Sequence, residues 1–65
     1  MFDEKNTVLE WVETYPDTEI IFKSFDKKIG KCILCECLFD SIEAIAQENA
    51  IDLRELLKQL YQEIL

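Results

Sequence analysis

Histidine is absent from this 65-residue chain. That absence excludes Cys–His nucleophilic catalysis, histidine-containing zinc sites and histidine-ligated haem together. Glycine and proline occur once each, which argues against a disordered or low-complexity segment. No apolar run approaches the ~20 residues that a membrane-spanning helix needs. The start, Met1-Phe2-Asp3-Glu4-Lys5, lacks the basic region and apolar run of a secretion signal. A cytoplasmic protein with no membrane association is therefore expected. In that compartment structural disulfides are rare, and clustered cysteines are more often catalytic or metal-binding.

Positive charge is also scarce. Seven Lys and Arg stand against fourteen Asp and Glu, for a net charge of −7. A nucleic-acid partner needs the opposite field, so no nucleic-acid binding is expected. Hydrophobic residues make up 49% of the chain, enough for one globular domain over residues 1–65. A domain of this size buries about 60% of its unfolded surface, so its core is thin and a deep substrate cleft is not expected.

What the chain does have is concentrated in Cys32-Ile33-Leu34-Cys35-Glu36-Cys37, which holds all three cysteines. A CxxC can close a small disulfide ring, or grip one soft metal ion from a single turn of backbone. An odd number of cysteines rules out a fully paired disulfide framework within one chain. Lys23, Lys27, Lys28 and Lys31, four of the seven cations, lie just before the thiols. Cationic neighbours favour the thiolate.

Four short helices are predicted, giving an all-α fold read as a small orthogonal bundle. Thr7-x-x-Glu10 is a capping box that opens the first helix. Val8, Leu9, Val12 and Tyr15 form its apolar stripe, with Trp11 beside it. Pro16 ends that helix and suits the first turn of the next, whose buried face is assigned to Ile20, Ile21, Phe22 and Phe25. Gly30 is placed to take a positive φ ahead of Cys32. The third helix is expected after Asp40, with Asp40-x-x-Glu43 as its start signal and Ile42, Ile45 and Ala46 inward. Asp52 caps the fourth, with Glu55 at N3 and Ile51 and Leu56 as a hydrophobic staple. Leu53, Leu56, Leu57, Leu60, Tyr61 and Ile64 follow the period of an amphipathic helix. This layout puts the cysteines on the loop between the second and third helices, where a thiol can reach a partner.

Thr7-Val8-Leu9-Glu10, Tyr15-Pro16, Phe25, Gly30-Lys31-Cys32-Ile33-Leu34-Cys35, Ser41-Ile42-Glu43-Ala44-Ile45-Ala46 and Ile51-Asp52-Leu53-Arg54-Glu55-Leu56-Leu57 together resemble one small domain. It is the hybrid-cluster-protein-associated redox-disulfide domain, and its helical skeleton is similar to the N-terminal domain of iron–sulfur-repair proteins. The resemblance covers nearly the whole chain and implies a small all-α domain with Cys32 and Cys35 as the redox pair. Family members often carry a glycine beside the CxxC, where this chain has Leu34, and His-Gly before the last helix, where it has Asn49-Ala50. Cys37 lies outside the family's core pattern.

Three functions are compatible with these residues. The first is a dithiol/disulfide redox module working with a partner redox protein or metalloprotein. In it Cys32, beside Lys31, is the attacking thiolate, Cys35 the resolving thiol and Cys37 an auxiliary thiol. The second is metal binding, in which Cys32, Cys35 and Cys37 hold zinc or part of an iron–sulfur cluster. Glu36, Asp40 or a second chain would complete the shell, and a homodimer rather than a monomer would supply six thiols. The third is an interaction module without redox chemistry, using Ile29, Ile33, Leu34, Leu38 and Phe39 as an apolar patch.

Overall fold

The computed structural model describes residues 2–65 and forms five α-helices: α1 (Val8–Thr14), α2 (Thr18–Ile29), α3 (Ile33–Glu36), α4 (Ile42–Glu48) and α5 (Leu53–Ile64). The all-α expectation holds, with one helix more than expected. The additional element is α3, a single turn of four residues built on the cysteine segment. One turn is too short to show a 3.6-residue period, so periodicity had nothing to detect there. The cysteines accordingly sit on a helical turn rather than on an open loop.

Local signals set most helix ends. The Thr7 hydroxyl accepts from the Glu10 amide at 3.1 Å, and the Glu10 carboxylate accepts from the Thr7 amide at 2.8 Å, completing the capping box. These bonds favour the ionised carboxylate and hold the Glu10 pKa below its ordinary value. Gly30 caps α2 with φ 74°, a left-handed conformation that glycine adopts without strain. The Asp52 carboxylate caps α5 by accepting from the Arg54 amide at 3.0 Å. Glu55 does not return to that cap; its carboxylate accepts from Gln59 instead. α4 is capped by Ser41 rather than Asp40, the Ser41 hydroxyl accepting from the Ala44 amide at 3.1 Å.

A long-range pairing adds to the caps of α1 and α4. Thr7 and Ser41 form an isolated antiparallel bridge, so the two helix starts run past each other. The Val8 and Leu9 amides donate to the carbonyls of Asp40 and Leu38 at 3.0 and 2.9 Å. The Ile42 and Glu43 amides donate to the carbonyls of Asn6 and Glu4 at 3.1 and 3.0 Å. Each helix start thus meets the otherwise orphaned first-turn donors of the other.

The core joins Val8, Trp11, Phe22, Phe25, Ile33, Cys37, Ile42, Ile45, Leu56 and Leu60, so every helix contributes to it. On α2 the inward face is Thr18, Phe22 and Phe25, with the Thr18 hydroxyl satisfied by donating to the Tyr15 carbonyl at 2.7 Å. Ile20, expected inside, is 65% exposed, because the four-residue step from Thr18 to Phe22 turns it to the opposite side. On α5 Leu56 and Leu60 are fully buried, and Leu53, Leu57, Tyr61 and Ile64 pack partly against the core.

The turn from α4 to α5 carries strain. Ile51 N–H reaches back to the Ala46 carbonyl at 2.9 Å, a Schellman closure that places Ala50 at φ 55°. An L-residue with a Cβ pays there for a conformation glycine takes freely. Ala50→Gly should therefore raise the unfolding free energy by up to about 1 kcal/mol, the strain relief exceeding the added chain entropy. Leu60→Ala, at a fully buried site, should lower it by about 2–5 kcal/mol. Urea unfolding of the two full-length variants beside the parent measures both; an Ala50→Gly protein less stable than the parent refutes the strain argument.

Candidate functional site: the cysteine turn

Gly30 ends α2 and turns the chain toward α3, and Asp26 then fixes where α3 begins. The Asp26 carboxylate, one turn back in α2, accepts from the Ile33 amide at 3.0 Å. Ile33 is fully buried and roots the turn in the core. The Cys35 and Glu36 amides donate to the Cys32 carbonyl at 3.3 and 3.0 Å, and the Cys37 amide to the Ile33 carbonyl at 2.8 Å. A one-turn helix forms here because both its flanks are anchored, since a turn this short is not stable alone.

This turn brings Cys32 and Cys35 together as a disulfide, with Cα atoms 5.2 Å apart. That separation lies inside the ordinary range for a bridge. Burial then divides the three cysteines. Cys32, the N-cap of α3, is half-buried and Cys35 is exposed. Cys37, at the C-cap, is 3% exposed and carries a free thiol. It belongs to the hydrophobic core, a role that its position two residues from the CxxC did not reveal. Burial pushes the Cys37 thiol pKa up. Lys31 opposes that shift, while Asp40, Glu36 and Glu48 reinforce it.

The other lysines ahead of the cysteines are distributed differently. Lys23 pairs with Glu19 at 3.0 Å along the outer face of α2. The Lys28 ammonium sits 4.7 Å from the centre of the Phe25 ring. Lys27 is exposed. The four therefore do not act as one cationic cluster.

A three-thiolate metal site does not fit this arrangement. Two of the sulfurs are bonded to each other and the third is buried. Among the described residues, no three Cys, Asp or Glu side chains are placed to hold one metal ion. The apolar patch is also smaller than the sequence implies. Ile33 is core, Ile29, Leu34 and Leu38 pack partly against it, and Phe39 alone stands out, 82% exposed.

Two concave surfaces are lined by residues other than the cysteines. A cavity of about 180 Å³ opens between the end of α2 and the α4–α5 turn, lined by Phe25, Lys28 and Ala50 among others. A wider apolar groove of about 490 Å³ is lined by Phe2, Tyr15, Tyr61, Ile64 and Leu65. Neither includes a cysteine. Among the described residues no helix is long and apolar enough to cross a membrane. Comparison of the chain with protein-family models, with curated proteins and with solved structures gives no match.

The raised thiol pKa of Cys37 has a definite sign in stability. Above about pH 9, the ordinary thiol value, the unfolded chain releases the Cys37 proton while the folded chain keeps it. Stability is therefore full below that pH and falls as pH rises toward the folded-state pKa. Tyr61, whose pKa is also raised by burial and by Asp3 and Glu4, adds a similar loss above about pH 10. Urea midpoints compared at about pH 8 and about pH 10 should fall for the parent and fall less for Cys37→Ala. Equal falls in the two proteins refute the assignment to Cys37.

Proposed function

We propose that the chain is a small dithiol/disulfide redox module that exchanges electron pairs with the thiols of a partner protein through Cys32 and Cys35. One observation carries this reading: the Cys32–Cys35 bridge lies at the surface, half-buried at one end and exposed at the other. A disulfide can exchange only where an attacking thiolate reaches it. The bridge also closes a very short loop, which removes little entropy from the unfolded chain and makes it a weak staple.

The resemblance to the redox-disulfide domain associated with hybrid-cluster proteins supports the same pairing and points to a redox protein or metalloprotein as partner. We place this exchange in the cytoplasm, where the disulfide would form and open in use rather than persist as a structural link.

The test is reversibility. In glutathione buffers of graded composition the intact mass should move by about two units between dithiol and disulfide forms, since oxidation removes two hydrogens. The midpoint should lie above about −300 mV, the range of exposed rather than structural disulfides. Cys35→Ser should abolish the couple and Cys37→Ser should retain it. A mass that stays fixed across the whole series overturns the reading.

A further inference from the structure

We propose that a partner thiol bonds to Cys35 and that Cys32 is the sulfur that leaves, so that Cys35 carries the mixed disulfide. The inference rests on the redox reading above and fixes the order of its bond changes.

Thiol–disulfide exchange has a directional requirement. The attacking thiolate must approach one sulfur from the side opposite the existing S–S bond, so access to the attacked sulfur decides the product, together with the quality of the leaving group. The two ends of this bridge differ on both counts. Cys35 is the third residue of α3 and is exposed, as is its neighbour Glu36. Cys32 is half-buried, and it lies between Lys31, also half-buried, and Ile33, which is fully buried. Cys35 is thus the more exposed end of the bridge, and Cys32 the end set closer to the core.

The leaving group reinforces this order. Lys31 is joined directly to Cys32 in the sequence, and a cationic neighbour favours a thiolate over a thiol. A thiol whose pKa is lowered by such a neighbour leaves faster. The sulfur that leaves when the bridge opens is also the one that closes it, so this order makes Cys35 the thiol that bonds to the partner and Cys32 the resolving thiol, the reverse of the roles that adjacency to Lys31 implies. Cys37 takes no part, being buried and held protonated in the core.

With a partner dithiol the steps balance. One partner thiolate bonds to the Cys35 sulfur, the Cys32–Cys35 bond breaks, and its electron pair leaves on Cys32, which takes a proton from water. The second partner thiolate then bonds to the first partner sulfur, releasing Cys35 as thiolate, which is protonated in turn. The partner ends as a disulfide and the chain as a dithiol, two electrons having passed to the chain while the two protons lost by the partner thiols and the two gained by the chain are exchanged with water.

Sulfite reads the order directly, because it leaves a sulfonate on the sulfur it attacks and frees the other as a thiol. The oxidised full-length protein would be treated briefly with sulfite, stopped with acid and capped with N-ethylmaleimide, and the modified cysteines located by fragmentation mass spectrometry. The expected product carries sulfonate on Cys35 and maleimide on Cys32, in about tenfold excess over the reverse. The reverse product, an even mixture, or sulfonate on Cys37 overturns the assignment while leaving the redox reading in place, since the bridge has been opened. No cleavage of a bridge that the intact mass shows to be present overturns the assignment and the redox reading together.

Discussion

The reciprocal capping of α1 and α4 is the constraint on which the rest of this small domain depends. Helix N-termini carry four backbone donors that the helix itself cannot satisfy. Here two N-termini are run past each other so that the carbonyls before one meet the donors of the other, through Val8, Leu9, Ile42 and Glu43. The side chains of Thr7 and Ser41 supply the local caps. The pairing joins residues 29 to 39 apart in the sequence, and it holds the stretch from Leu38 to Asp40 against the start of α1. That stretch is the exit from the cysteine turn, so a capping arrangement between two helices also determines where Cys37 lies.

The entrance to the turn is fixed by different means. Gly30 reverses the chain, Asp26 holds the Ile33 amide and Ile33 fills the core. With both flanks fixed, helical geometry alone distributes the three cysteines. Positions 32 and 35 fall one turn apart on one side, close enough to bridge. Positions 33 and 37 are four apart and share the opposite side, which faces the core. The chemistry of the three sulfurs then diverges through desolvation, with an accessible pair at the surface and an enclosed, protonated thiol beneath it.

This division explains what could be read from the sequence and what could not. The capping box at Thr7, the left-handed turn at Gly30, the Asp52 cap and the apolar faces of α4 and α5 depend on residues within one or two turns of each other, and all were legible. The CxxC pair was legible for the same reason. α3 was not, because a helical turn held by Asp26 and by the Leu38–Asp40 stretch has no period of its own. The inward face of α2 was misread at Ile20, since the run Ile20-Ile21-Phe22 followed by Phe25 leaves the rotation open until Thr18 is known to be buried. Cys37 was counted with the thiols because sequence proximity cannot distinguish a sulfur at the surface from one four residues along the buried side of the same turn.

The anchoring of α3 also bears on how a disulfide could open and close in so thin a domain. The contacts that fix the turn are noncovalent and lie outside the bridge: Asp26 to the Ile33 amide, the Cys37 amide to the Ile33 carbonyl, the Asp40 amide to the Cys37 carbonyl at 3.1 Å, and Ile33 in the core. None passes through the Cys32 or Cys35 sulfur. Breaking the S–S bond removes a short-loop constraint of modest entropic value while the capping bonds and the buried anchor remain. The two freed thiols would then stay near their bridged separation, because the backbone from Cys32 to Cys37 is held by its own hydrogen bonds. A redox pair needs that property in order to close again quickly. In this chain it follows from a turn whose structure is maintained by its neighbours rather than by its disulfide.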